Sequence, residues 1–181
     1  DMGAAREGES VLVIGGGVIG LMAVQLAKLA GAEVLLLTRS PEKQVLGLNI
    51  GADYAVGTES EVRNIWPEGA DLVVECAGVS ATVTLSHKLA RSGGRVVILG
   101  VISQGEQVPI EPFDMLFREI QMHFSFLNPF THERAAKMIA DGTINVSSLI
   151  SRIISLEEAA LAISSPPPKG EVRAIVVPKH D

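Results

Sequence analysis

Short runs of β-branched and aliphatic residues alternate with helix-length segments along most of the chain. That order predicts a parallel sheet covered on both faces by helices. Ser10 to Ile14 reads as a buried first strand, Val18 to Ala30 as a helix, and Glu33 to Thr38 as a second strand entered through the Gly31-Ala32 turn. Ser40 is a helix N-cap with Pro41 at the first helical position, opening a helix to Ile50 that Gly51 ends. A short third strand covers Tyr54 to Val56. Asp71 to Glu75 and Arg95 to Leu99 are the fourth and fifth strands, and the helix Ser80 to Ala90 between them is stopped by Gly93-Gly94. From Ile120 to Phe126 the apolar Ile120, Met122, Phe124 and Phe126 alternate with Gln121, His123 and Ser125, the period-two pattern of a sixth strand. Helices follow over Thr131 to Ala140 and Ser155 to Ser164. Pro166-Pro167-Pro168 then forms a stiff extended link to a terminal strand, Val172 to Val177. The expectation is a doubly wound, six-stranded α/β unit over residues 1–165, with 166–181 as a C-terminal tail.

Composition narrows what such a unit does. At 181 residues the chain is long enough for one substantial core and short for two full domains. Its 47% hydrophobic and 20% charged content is that of a folded protein, not a disordered one. A formal net charge of -6, with no offsetting run of Lys or Arg, makes nucleic acid and anionic membranes poor partners and suits a small polar ligand better. The first ten residues hold no targeting pattern, and Gly15, Gly16 and Gly17 break the nearest apolar segment. Cys76 is the only cysteine, which excludes an internal disulfide or a Cys-cluster zinc site and fits a reducing, cytoplasmic setting. Its place at the end of a buried strand reads as packing, not nucleophilic chemistry. His87, His123, His132 and His180 show no metal-ligand spacing. Asp71 and Glu75 fall at opposite ends of one strand, too far apart to share a proton, and read as strand-end groups. Neither a metal site nor a catalytic group is expected within these residues.

The chemistry-bearing pattern is Gly15, Gly17 and Gly20, a G-x-G-x-x-G that follows a strand directly and opens a helix. Gly15 permits the tight turn, Gly17 lets a pyrophosphate approach the backbone, and Gly20 lets the helix pack closely. The unpaired N–H groups and positive dipole end of that helix, at Val18, Ile19 and Gly20, stabilise phosphate charge without a lysine. The plain alternative is a tight turn that binds nothing. The end of the second strand is where such folds read the adenosine ribose, and an acid there repels a 2′-phosphate. This chain has Thr38-Arg39-Ser40 instead, with Lys43 one turn on, so NADP is the preferred cofactor and NAD a possible one. Against this, Arg39 and Lys43 can be solvated surface groups and Ser40 only a cap.

Taken together, several strings resemble the zinc-containing medium-chain alcohol and polyol dehydrogenases over essentially the whole chain. They are Val11-Leu12-Val13-Ile14-Gly15-Gly16-Gly17-Val18-Ile19-Gly20, Leu37-Thr38-Arg39-Ser40-Pro41-Glu42-Lys43, Gly51-Ala52-Asp53, Val74-Glu75-Cys76-Ala77-Gly78 and Arg91-Ser92-Gly93-Gly94-Arg95-Val96-Val97-Ile98-Leu99-Gly100-Val101. Ser125-Phe126-Leu127-Asn128-Pro129-Phe130 looks most like the sorbitol or butanediol dehydrogenase branch. The resemblance implies a Rossmann fold and hydride transfer between a secondary alcohol or polyol and a nicotinamide, with a catalytic zinc supplied by a domain absent from these residues. By it, Cys76, Ala77 and Gly78 lie beside the adenosine, and Leu99, Gly100 and Val101 meet the nicotinamide. Phe124 and Ser125 approach the same end, and Arg173 reaches the pyrophosphate from a strand of the missing domain. The resemblance also implies a homodimer through strand 120–126, whose lack of Pro and Lys leaves it open to pairing. Two alternatives stay open: a zinc-independent quinone or enone reductase with the same cofactor half, and a non-catalytic nucleotide-binding module.

Overall fold

The structure, a computed structural model, describes residues 2–127 and 130–178. Six strands form one parallel sheet: β1 (Ser10–Ile14), β2 (Glu33–Leu37), β3 (Tyr54–Val56), β4 (Ala70–Glu75), β5 (Ala90–Ile98) and β6 (Gln121–Phe124), in the order β3-β2-β1-β4-β5-β6. The order reverses between β1 and β4, the switch point of a doubly wound sheet.

Alternation along β1 explains why both faces are covered. Val11 and Val13 pack with Leu21, Val24 and Ala27 of α1 (Val18–Leu29), while Leu12 and Ile14 face the opposite cluster. That second cluster contains Val62 of α3 (Glu59–Ile65) and Val83 and Leu89 of α4 (Ser80–Leu89). Both clusters are fully apolar at their centres, which is why the strands read as continuous hydrophobic runs. On the α1 side, α2 (Pro41–Asn49) adds Leu46.

Several elements depart from the sequence expectation. The helix α3 was not expected, and neither was α5 (Pro112–Phe117), which has Pro at its start. The helix after β4 ends at Leu89, one residue before the expected Ala90, and Gly93-Gly94 are not its stop, because Ala90 pairs with Ala70 and draws the backbone into the sheet. Gly93 therefore lies within β5, where its N–H donates to the Arg118 carbonyl at 2.7 Å. Strand β6 stops at Phe124: Ser125 N–H makes one more bond, to Ile98 O at 3.0 Å, and β5 then offers no further partner. Phe124 and Phe126 are exposed instead of buried.

After β6 come α6 (His132–Ala140), β7 (Ile150–Ile154), α7 (Leu156–Ser164) and β8 (Arg173–Val176). Strand β7 was not expected; it pairs in parallel with β8 as a separate two-stranded sheet whose strands lie on either side of residue 165. This part is tied to the main sheet by the Gln25 amide, which exchanges hydrogen bonds of 2.7 and 3.1 Å with the Asn145 backbone, and by Leu149 and Val172 packing on the α1-side core. Asn128, Pro129 and His180 lie outside the described residues.

Candidate functional site: a cleft at the switch point

A cleft of about 610 Å³ opens at the carboxyl ends of β1, β2 and β4. Its walls come from three loops, at Gly15 to Gly17, Thr38 to Lys43, and Cys76 to Thr82. The glycines have distinct physical reasons. Gly15 has φ +109, and a methyl placed on Gly20 would sit 1.8 Å from the Gly15 carbonyl oxygen. Gly20 is thus required by the turn itself, a closer constraint than packing against the sheet. Gly17 meets nothing within 4 Å, so its side faces open space. As N-cap of α1 it offers no side-chain cap, and the first turn of the helix holds no acidic residue. The amide N–H groups there are left for an anion. Val18, Ile19 and Gly20 contribute backbone only and do not line the cleft.

At the end of β2 the electrostatics turn positive. Arg39 and Lys43 both line the cleft, and neither side chain makes a hydrogen bond or ion pair among the described residues. Ser40 is a cap as well as a wall: its Oγ accepts from Lys43 N–H at 3.4 Å and donates to Glu42 at 2.7 Å. Two carboxylates are nearby: Glu59, which lines the cleft and pairs with Arg63 at 2.9 Å, and Glu42 beside Ser40. The Glu42 carboxyl is pulled down to about 2 by the Ser40 hydroxyl, its own backbone N–H and Lys169, whose ammonium lies 3.0 Å away. Thr38 N–H donates to Val56 O at 2.9 Å, extending the β2–β3 pairing by one bond into the cleft.

At the end of β4, Cys76 and Ala77 line the cleft. Burial, with the Glu75 charge beside it, pushes the Cys76 thiol up to about 12. It stays a thiol at neutral pH and serves as packing. Gly78, Gly100 and Val101 form a second cluster beside the cleft: a methyl on Gly100 would approach Gly78 N to 2.3 Å. Leu99 packs against the α1-side core. Phe124 and Ser125 fall at the adjoining end of β6, and Val101 and Phe124 are exposed. Arg173 lies on β8 in the two-stranded sheet and does not line the cleft.

Glu75 is the residue the sequence reading undervalued. It is fully buried, and its Oε1 accepts from Ala77 N at 2.8 Å, Gly78 N at 3.0 Å and the Thr82 hydroxyl at 2.7 Å. Helix α4 begins after Val79 without a capping side chain, and Glu75 holds the loop that leads into it through the Ala77 and Gly78 amides and reaches the helix only at the Thr82 hydroxyl. Asp71, at the other end of β4, is a strand-end group in the simpler sense. Although burial pushes its carboxyl up, Ser10 and Arg91 outweigh that and hold it below the usual carboxylate range.

Fold, switch-point cleft and open glycine turn together define a Rossmann-type dinucleotide domain. The chain belongs to the zinc-binding dehydrogenase family, whose model matches residues 18–152. It is 30% identical over 84% of its length to D-arabinitol dehydrogenase 1 of Uromyces fabae, covering 47% of that protein. It is 28% identical over 90% of its length to mouse sorbitol dehydrogenase, covering 48% of it. Among solved structures, a Sinorhizobium meliloti 1021 protein described as a zinc-binding dehydrogenase and bound to NADP superposes with TM-score 0.95 at 49% identity, over 98% of this chain and 55% of that one. The chain thus spans about half the length of these relatives. Among the described residues, no group of three His, Cys, Asp or Glu is placed to hold a metal, and no helix is long and apolar enough to cross a membrane.

Proposed function

We propose that the cleft binds a nicotinamide dinucleotide phosphate, NADP in preference to NAD. The adenosine half lies over the ends of β1 to β3 and against the loop after β4, the pyrophosphate at the Gly15 to Gly20 turn, and the nicotinamide half over the ends of β5 and β6. The observation that carries this reading is the pair of uncommitted cations, Arg39 and Lys43, at the position where a 2′-phosphate would lie. Arg39 offers the planar fork that suits phosphate, Lys43 a second charge, and Thr38 and Ser40 hydroxyl donors. The NADP-bound relative supports it.

In this reading Cys76, Ala77 and Gly78 flank the adenosine side, and Leu99, Gly100, Val101, Phe124 and Ser125 flank the nicotinamide side. Arg173 is assigned to the pyrophosphate, with the 166–181 tail and its partner β7 belonging to a companion domain. The activity we assign to the longer protein is hydride transfer between a secondary alcohol or polyol and the nicotinamide, as the names of its relatives suggest. A bound zinc supplies polarisation of the alcohol oxygen there, from ligands outside these residues. Strand β6, at the sheet edge, is the surface we assign to a second copy of the chain, and the cytoplasm is the compartment.

Titration with NADPH and NADH at one ionic strength tests the cofactor reading. NADPH binding at least roughly tenfold tighter, with the preference reversed by Arg39→Asp, is the expected result. Equal affinities, unchanged by that substitution, would make Arg39 a solvated surface group.

A further inference from the structure

The carboxylate of Glu75 has one oxygen with three donors and one with none. Its Oε2 is buried and unpartnered, and no cation pairs with the residue among the described ones. Oε2 faces Gly100, where an added methyl would come within 2.4 Å of it. The Glu75 carbonyl accepts from Leu99 N at 2.9 Å and Gly100 N at 3.1 Å. One residue therefore fixes both loops at the ends of β4 and β5, and its oxygen without a donor is the one on the side of Gly100. A buried charge without a cation is costly, and in low dielectric its field reaches farther than in water.

Resting on the cofactor reading above, we propose that Glu75 is a positioning residue that also favours the oxidised, cationic nicotinamide over the reduced one. The second nucleoside of a doubly wound sheet lies over the half that contains β5 and β6, and Glu75 Oε2 faces that side at Gly100. The oxidised nicotinamide ring carries a positive charge and the reduced ring none, while the rest of the dinucleotide is the same. A fixed negative charge behind that half thus separates the two forms. A carboxylate that merely held the loop at Ala77 and Gly78 would affect both forms by the same factor.

The test is the ratio of NADP+ to NADPH dissociation constants for the wild-type chain, Glu75→Gln and Thr82→Val. Glutamine keeps an acceptor for the loop donors and removes the charge, so NADP+ should weaken relative to NADPH by roughly fivefold. Thr82→Val removes a donor from Oε1 and leaves the charge less compensated, so the ratio should move the other way. A ratio unchanged in both variants overturns the proposal, even where both affinities fall together. Should Glu75→Gln not fold, the direction of the Thr82→Val ratio decides alone. A wild-type chain that binds neither form overturns the cofactor reading, and this inference with it; binding of both forms with an invariant ratio overturns this inference only.

Discussion

The two halves of the sheet share one plan and handle charge in opposite ways. At the ends of β1 and β2 the cations Arg39 and Lys43 stand uncommitted beside an open glycine turn. At the ends of β4 and β5 the ionisable group is Glu75, sealed from solvent, and His87 is sealed within α4 of the same half. That half also exposes large apolar side chains, Val101, Phe113, Leu116, Phe117, Phe124 and Phe126. The βαβ plan decides where a ligand lies, and the few residues after each strand decide what charge it meets.

The largest expected effect comes from the glycines that hold each half together. Gly100→Ala forces a methyl against the Gly78 backbone and Glu75, and should cost about 3 kcal/mol of stability, the upper end for overpacking. Gly17→Ala meets open space and should leave stability within about 0.5 kcal/mol. It should weaken cofactor binding roughly tenfold by placing a methyl where the pyrophosphate approaches the backbone. Denaturant melts paired with cofactor titrations separate the two outcomes. If Gly17→Ala lost stability and kept affinity, the glycine turn would be structural only.

A smaller effect is expected at Ser40, which serves both as cap and as cleft wall. Ser40→Ala should lower stability by about 1 kcal/mol through the lost cap. A chemical-denaturation midpoint that does not move would show that α2 does not depend on it.

The smallest effect concerns pH and the buried half. Burial, aided by the Lys88 charge, pushes the His87 ring below its ordinary value against the opposing pull of Glu111 and Asp114, and neither ring nitrogen has a partner. The unfolded chain takes up a proton that the buried ring refuses, so stability should fall as pH drops below about 6.5 toward the lower folded value. His87→Leu removes both unpaired nitrogens and should flatten that part of the profile. Thermal melts between pH 7 and pH 5 with identical slopes for both proteins would remove His87 from the account.

Much of this was legible in the sequence because the strands of a doubly wound sheet are buried on both faces. Val11 to Ile14 and Val34 to Leu37 could be little else. The missed helix α3 carried its own signal, the Thr58-x-x-Glu61 capping box, whose two reciprocal bonds the structure contains. Strand β7 carried none, since its partner β8 follows only after an intervening helix and a proline link. The β6 pattern overstated the strand because alternation reports which side a residue takes and not whether a neighbouring strand extends far enough to pair. Arg39 and Lys43 were readable as cations, but their freedom from other partners was not. For Glu75 the type and spacing were visible, while its complete burial and unpartnered oxygen depend on Gly100, a residue from the next strand end.

The central claim, that the β1–β2 half recognises a 2′-phosphate through Arg39 and Lys43, is tested most directly with half of the ligand. Competition between 2′,5′-ADP and 5′-AMP isolates the adenosine end from everything over β5 and β6. The account predicts that 2′,5′-ADP binds at least roughly tenfold tighter and loses that margin in Arg39→Ala with the melting temperature unchanged. Equal binding of the two nucleotides to the wild-type chain would contradict it.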